Sequence, residues 1–271
     1  MEMIIFYFLI FCIGSVFGSF FTLAVYRIPL HKDITHERSF CPNCHHKLSF
    51  WDMIPILSYI FLRGKCRYCG QKIRIRYLLL EVCAGVVFLL FAVSLNIQKL
   101  QVDKWFYLIF GLLYMAGLFI IAGIDKEKHS VSKPVVLYEV IIVSMHMLYL
   151  CVLEQTNIYR YVIYLTFILI CNILEIFYYK KHLKSNYLLE TLSLLLIMAV
   201  FTYEIGAILT VIFMLFAIAF ATLLQKLKRV MIKYKKENRN ILKDFPIAFY
   251  LCIGNIIAML VMNFYTCGWY Q

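Results

Sequence analysis

Long apolar segments alternate with short basic segments along almost the whole chain. Because about 20 apolar residues can cross a bilayer as a helix, each long segment predicts a membrane span. Eight segments qualify, at roughly residues 3–26, 77–97, 105–125, 134–153, 159–178, 186–202, 204–225 and 246–264. The sixth and seventh are separated only by a short turn near Tyr203, so these two spans are predicted to form a tight helical hairpin.

The composition agrees with this pattern. Of the 271 residues, 63% are hydrophobic and 15% are charged, whereas a soluble domain is about 45–50% apolar and about 25% charged. The composition therefore excludes an ordinary soluble domain. The predicted fold class is an all-α integral membrane protein with about eight transmembrane helices.

The positions of lysine and arginine predict the orientation of the spans. Four connections hold 24 of the 27 basic residues: 27–76, 126–133, 179–185 and 226–245. In an eight-span chain all four lie on the same side, and the positive-inside rule places that side in the cytoplasm. The prediction is a multi-pass protein of the inner (cytoplasmic) membrane with both termini outside. The net charge of +12 is thus interpreted as contact with membrane lipid and not with nucleic acid.

The first basic connection contains two CxxC pairs. Cys41 and Cys44 form one pair, Cys66 and Cys69 form the other, and 21 residues separate them. Reducing conditions in the cytoplasm disfavour disulfides, and this spacing is typical of a four-cysteine zinc site. The sequence therefore predicts a cytoplasmic loop held by a structural Zn²⁺. The alternative is four free thiols or a redox pair.

Three stretches resemble the type IV prepilin peptidases, the bifunctional leader peptidase/N-methyltransferases that include competence-type members. They are "GSVFGSFFTLAVYRIPL" (14–30), "RSFCPNCHHKLSFWDMIPILSYIFLRGKCRYCGQKIRIRYLLLE" (38–81) and "IDKEKHS" (124–130). The resemblance is ordered over about the first 130 residues. Beyond residue 134 only the span pattern and "FPIAFYLCIGN" (245–255) look similar.

The resemblance implies a polytopic aspartic endopeptidase. Such an enzyme cleaves the leader of type IV prepilins or pseudopilins at the cytoplasmic membrane face, and it then methylates the new N-terminus with S-adenosylmethionine. The residues that would bind this cofactor are unknown. The implied domains are a first transmembrane helix (1–26), a zinc-binding loop with a methyltransferase-associated region (27–76), a peptidase core (77–264) and an external tail (265–271).

Asp125 matches the first catalytic aspartate of the family in its Ile-Asp context. It ends the third predicted span at the cytoplasmic boundary, where a carboxylate can also be a plain boundary charge. The family usually continues with a Pro-Asp pair, but Ser132 and Lys133 occupy those positions here, and Pro134 is displaced.

The second catalytic acid is harder to place, because the family's Gly-x-Gly-Asp motif is absent from the chain. Counting back from "YEIGAIL" (203–209) puts Glu190 at or next to the position of the motif's aspartate. An ionisable group within a span is a functional candidate by default. Asp244 and Glu175 are the alternatives, although Asp244 also suits a helix cap and Glu175 a partner for a lysine.

Two other points stay open. Glu81 matches a family glutamate, with a role in substrate recognition or methyl transfer, but it can equally pair with Arg74 or Arg76. Because the Gly-x-Gly-Asp motif is missing, the alternative function is a catalytically impaired prepilin-binding scaffold or a methyltransferase alone. A transporter is disfavoured, since the spans carry few ionisable groups and no internal repeat.

Overall fold

The computed structural model describes residues 2–34, 39–97, 102–153, 158–182, 187–231 and 245–269. Within these residues the chain is mostly helical apart from the loop between the first two long helices, and two isolated bridges are the whole of its β-structure. The helices are α1 (Glu2–Arg27), α2 (Leu57–Phe61), α3 (Arg76–Ser94), α4 (Val102–Lys128), α5 (Lys133–Leu153), α6 (Ile158–His182), α7 (Tyr187–Met231) and α8 (Ile247–Trp269).

Every helix except the five-residue α2 is long and apolar enough to cross a membrane, which gives seven candidates in the described part of the chain. Six of them coincide with predicted spans to within a few residues. The predicted fold class, an all-α membrane protein with a four-cysteine loop, is confirmed.

The seventh candidate, α7, contains two predicted spans. A straight helix of its 45 residues would be about 67 Å long, far more than the hydrocarbon thickness of about 30 Å. The backbone at Tyr203 is not helical (φ 63°, ψ 173°). The Asn255 Nδ2 atom lies 3.5 Å from Thr202 Oγ1 and 2.9 Å from Thr210 Oγ1, although eight residues of straight helix span about 12 Å. The chain therefore folds back at Tyr203, where the sequence predicts a hairpin.

The chain divides into two compact units, residues 1–112 and 113–271, with the boundary inside α4. In the first unit α1 packs closely on α3 through small residues. A Cβ at Gly14 would lie 2.8 Å from the Ala84 carbonyl oxygen, and one at Gly18 would lie 2.7 Å from Glu81 Cα. Without side chains at Gly14 and Gly18 the two backbones can approach, as in other membrane helix pairs with glycines four residues apart.

The core of the second unit contains a buried polar network. Tyr114 on α4 donates a hydrogen bond of 2.9 Å to Asn255 Oδ1 on α8, and the Asn255 amide donates to Thr210 on α7. The Tyr114 ring also stacks on Phe201, with 4.2 Å between the centroids. Because lipid offers no hydrogen bonds, such groups must be satisfied within the protein. The network therefore fixes how α4, α7 and α8 meet.

Candidate functional site

The two cysteine pairs form two turns with the same hydrogen bonds. In the first, the Cys41 N–H donates to the His46 carbonyl at 3.0 Å, and the Cys41 carbonyl accepts from the His45 N–H at 2.9 Å. The second turn repeats this pattern 25 residues later, with bonds of 2.8 and 3.0 Å between Cys66, Gln71 and Gly70. Each turn aims two thiols towards the other turn.

The four sulfur atoms lie within 4.8 Å of one another, and those of Cys41 and Cys69 are 3.8 Å apart. Zinc–sulfur bonds of about 2.3 Å in a tetrahedron place neighbouring sulfurs about 3.8 Å apart. The spacing and the soft thiolate donors both fit Zn²⁺. The cluster predicted from the two CxxC pairs is thus present, and one of its sulfur pairs has the separation expected in a tetrahedral zinc site.

The thiols differ in acidity. Hydrogen bonds from the Gln71 N–H and the Asn43 amide lower the pKa of Cys69 to about 6, which makes it a thiolate at neutral pH. At Cys44 the His46 N–H lowers the pKa, but partial desolvation and the neighbouring thiols of Cys41 and Cys69 outweigh this effect and raise the pKa to about 11. A metal must therefore displace the Cys44 proton when it binds.

Asp52 connects the stretch between the two turns to the second turn. Its carboxylate accepts from the Ser49 hydroxyl at 2.7 Å, from Arg67 Nε at 2.7 Å and from the Tyr68 hydroxyl at 3.2 Å. Its side chain is only 2% exposed. Burial raises the pKa of Asp52, but the bonds from Ser49 and the charge of Arg67 outweigh it, and the pKa lies below its usual value.

Glu81 connects the loop to the helices of the first unit. Its Oε2 atom accepts a hydrogen bond of 2.8 Å from the Ile56 N–H, and Ser19 on α1 bonds to the same side chain. Ile56 has φ 63° and ψ −54°, a conformation that β-branched residues avoid. Glu81 thus holds a strained loop residue, while its predicted role in recognition or methyl transfer stays a prediction.

Asp125 lies in the last turn of α4 and is fully buried. The Tyr187 hydroxyl donates to its carboxylate, at 2.9 Å from each oxygen, and the Phe249 N–H donates to Oδ2 at 2.8 Å. Tyr187 in turn accepts from the Ala248 N–H at 3.1 Å. Asp125 is therefore the point at which the end of α4 meets the starts of α7 and α8.

Glu190 is buried in the first turn of α7, three residues after Tyr187. Residues three apart share a helix face, with about 5–6 Å between their Cβ atoms. Glu190 therefore stands one helical turn along α7 from the residue whose hydroxyl contacts Asp125. Of the two alternative acids, Asp244 lies outside the described residues, and the side chain of Glu175 is outside the description of α6. The catalytic assignment of Glu190 stays a prediction.

Sequence reasoning missed two residues of this region. If Glu190 occupies the aspartate position of the Gly-x-Gly-Asp motif, Tyr187 occupies the position of its first glycine. The replacement of that glycine by a tyrosine was the sequence feature that could have drawn attention to Tyr187. Glu139 on α5 is fully buried, and neither of its oxygens has a hydrogen-bond partner among the described residues. It packs against Gly117, where an added Cβ would overlap its carboxylate. A charged residue inside an apolar run was the signal for Glu139.

Comparisons with known proteins support the family resemblance. Residues 12–95 match the family described as the bacterial peptidase A24 N-terminal domain. The chain is 42% identical over 79 residues to a prepilin leader peptidase/N-methyltransferase of Myxococcus xanthus (strain DK1622), covering 29% of this chain and 24% of that protein. It is 33% identical over 126 residues to one of Klebsiella pneumoniae, covering 44% and 51%. One from Bacillus subtilis (strain 168) is 41% identical over 80 residues, covering 30% and 32%.

These matches cover between about a quarter and a half of the relatives' own lengths. No solved structure matches the chain. The resemblance to the type IV prepilin peptidase family is confirmed. It is supported best in the N-terminal region that contains the four cysteines.

Proposed function

We propose that this protein is a membrane aspartic endopeptidase that cleaves the leader of type IV prepilins or pseudopilins at the cytoplasmic membrane face. The observation that carries the proposal is the burial of Asp125 at the end of α4, in contact with the helix start that bears Glu190. The proposal places the protein in the inner membrane, with both termini outside and the four basic connections in the cytoplasm.

Peptide hydrolysis by two carboxyls requires one of them ionised and the other protonated. The ionised carboxylate takes a proton from water, and the protonated group donates to the oxygen of the scissile carbonyl. In this protein the two groups are Asp125 and Glu190. Tyr187 and Phe249 donate hydrogen bonds to the oxygens of the buried Asp125 and position its carboxylate for this reaction.

The second proposed activity is methylation of the new N-terminus, placed in the region of the loop 27–76; it rests on the similarity to proteins named prepilin leader peptidase/N-methyltransferase. Here the N-terminal amine is the nucleophile, and S-adenosylmethionine supplies the methyl group when it is bound. A zinc ion at the four cysteines would have a structural role and not a catalytic one, because a closed site of four thiolates leaves no position for a substrate. By joining the two cysteine turns, the metal would fix the two ends of the polypeptide between them.

A second candidate function also has an observation in its favour. If Glu190 stands at the aspartate of the family's Gly-x-Gly-Asp motif, Tyr187 and Leu189 replace the motif's glycines; the Asp125 carboxylate is also buried. A prepilin-binding scaffold without peptidase activity, or a methyltransferase alone, would tolerate both features.

The two candidates differ in a leader-cleavage assay. The protein is reconstituted in vesicles with prepilins from the same genome, and cleavage is followed by the change in substrate mass. For the peptidase, Asp125→Asn and Glu190→Gln each abolish cleavage and retain zinc. Glu127→Gln is the matched control, since it neutralises an exposed acid of the same helix end and leaves cleavage unchanged.

Other outcomes reassign the site or the function. If Glu190→Gln cleaves normally while Asp244→Asn or Glu175→Gln does not, the second acid is one of those residues. If Glu190→Asp retains activity, the extra methylene of glutamate is not required. If the wild type cleaves no prepilin but methylates a pre-cleaved pilin, the chain is a methyltransferase. Binding with neither reaction makes it a scaffold.

A further inference from the structure

The zinc loop carries a cluster of large apolar side chains that the peptidase proposal does not use. Phe50 and Trp51 lie in a short 3-10 turn that packs beside α2. Leu57, Ile60 and Phe61 lie on α2 itself. Each of these five residues, called here the apolar patch, is between 51% and 80% exposed within the chain.

The patch is organised and not a scatter of single residues. Leu57, Ile60 and Phe61 stand at positions i, i+3 and i+4 of α2 and therefore share one face. On the same helix Tyr59 is half-buried, and its hydroxyl lies 3.4 Å from the Ile73 carbonyl of the loop. The sequence thus presents one face of α2 to the loop and its apolar face outwards. Contiguous apolar faces of this kind mark interaction sites.

The position of the loop in the chain indicates the partner. α1 ends at Arg27 and α3 begins at Arg76, and both helices are long and apolar enough to cross the membrane. The loop is thus tethered at both ends to the membrane surface. Trp and other aromatic side chains favour the headgroup level of a bilayer, where they gain apolar contact and keep polar atoms hydrated.

Charge points to the same partner. Residues 27–76 contain ten Lys and Arg residues and three Asp and Glu residues, a net charge of +7. Arg63 and Lys65 directly follow the apolar face of α2 and are exposed. Basic side chains near a surface attract anionic lipids by about 1 kcal/mol each, and apolar insertion adds to this attraction, as in interfacial amphipathic helices.

We propose that the apolar patch inserts into the headgroup region of an anionic bilayer and that the neighbouring basic residues bind the lipid headgroups, so that the zinc loop lies against the membrane. Phe50, Trp51 and Phe61 enter the bilayer, while the two cysteine turns remain in water. This inference does not depend on whether the protein cleaves prepilins.

Trp51 allows a direct test with the full chain in vesicles of phosphatidylcholine and phosphatidylglycerol. The difference in fluorescence between the wild type and Trp51→Phe reports Trp51 alone, against the background of Trp105 and Trp269. Bromine atoms placed high on the acyl chains should quench this difference signal by more than half, and aqueous acrylamide should quench it weakly. Replacing phosphatidylglycerol by phosphatidylcholine should reduce the bromine quenching.

A matched probe on the same loop is Phe40→Trp in the Trp51→Phe background. Phe40 flanks the first cysteine turn and is 45% exposed, and it should be quenched by acrylamide and not by bromine. Equal bromine quenching at both positions would overturn the assignment to the apolar patch. Free access of acrylamide to Trp51 in lipid would overturn membrane docking. Shielding of Trp51 only after a prepilin peptide is added would make the patch a protein-binding face instead. Zinc content confirms the fold of each variant.

Discussion

The Tyr187 hydroxyl bridges both carboxylate oxygens of Asp125, at 2.9 Å from each, across 62 residues of sequence. It also accepts the Ala248 N–H, so that one phenol satisfies groups from two other helices. Because the carboxylate is fully buried, this bridge fixes it in one orientation.

Tyr187→Phe should therefore destabilise the protein and lower leader cleavage. The substitution leaves a buried carboxylate and a backbone N–H each short of one partner, at a cost of about 1–3 kcal/mol. If the lost orientation costs a similar energy in the transition state, the cleavage rate falls by about 5-fold to 150-fold. The measurements are thermal unfolding in detergent and initial cleavage rates.

Tyr138→Phe is the matched control. It also removes a phenol in the second unit, but this phenol bonds to the Leu113 backbone carbonyl at 2.9 Å. It should reduce stability without a specific loss of cleavage. Faster cleavage by Tyr187→Phe would contradict a positioning role and would make Tyr187 a cover that inhibits the enzyme.

Asp52 should stabilise the zinc loop over a defined pH range. Because its folded-state pKa is lowered, its contribution is fully present above the unfolded value of about 3.9 and is lost as the pH falls through the folded value. Asp52→Asn should therefore lower the temperature of zinc release by roughly 2–4 °C, equally at pH 5 and at pH 8. Asp33→Asn, at an exposed position of the same loop, should have a smaller effect. A difference that vanishes at pH 5 would refute the assignment.

Local features of the sequence predicted most of the fold and the four-cysteine cluster. The length of an apolar run is a property of neighbouring residues, and so is the spacing of Cys41, Cys44, Cys66 and Cys69. The turn at Tyr203 was predictable because Tyr203 and Glu204 interrupt an apolar run. These features form from contacts that are close in the chain.

The surroundings of Asp125 depend on contacts that no local pattern encodes. Its bond from the Phe249 N–H joins residues 124 positions apart, and the bond from Tyr187 requires the start of α7 to reach the end of α4. Because the donor is the backbone N–H of Phe249, the type of residue at that position gives no indication of the bond. For the same reason the burial of Glu139 against Gly117 follows from helix packing and not from the composition of α5.

Gly18 should be intolerant of any side chain. A Cβ there would meet Glu81 Cα at 2.7 Å and the Leu80 carbonyl oxygen at 2.8 Å, and both atoms belong to backbone that cannot rotate away. Gly18→Ala should force α1 from α3 and destabilise the first unit by about 1–3 kcal/mol. Because Glu81 also holds Ile56, zinc should be released at a lower temperature. Val16→Leu adds volume at a position of α1 that is 57% exposed and should change neither. Equal effects of the two variants would argue against close packing of α1 on α3.

The two cysteine turns offer a reciprocal test of backbone strain at the zinc site. The residue after each second cysteine has a left-handed conformation, His45 with φ 54° and Gly70 with φ 71°. That conformation costs about 1–2 kcal/mol for residues with a Cβ. At Gly70 an added Cβ meets no atom within 4 Å, so Gly70→Ala changes the backbone energy alone.

Since zinc binding folds the loop, this strain should appear in the affinity for zinc. Gly70→Ala should weaken binding by about 1 kcal/mol, or about fivefold. His45→Gly should strengthen binding by a smaller factor, because it also removes the stacking of the His45 ring on Phe40, at 5.9 Å between centroids. Competition with a chromophoric chelator under reducing conditions measures both values. If both substitutions weaken zinc binding equally, the His45 side chain, and not its backbone conformation, determines the stability of the first turn.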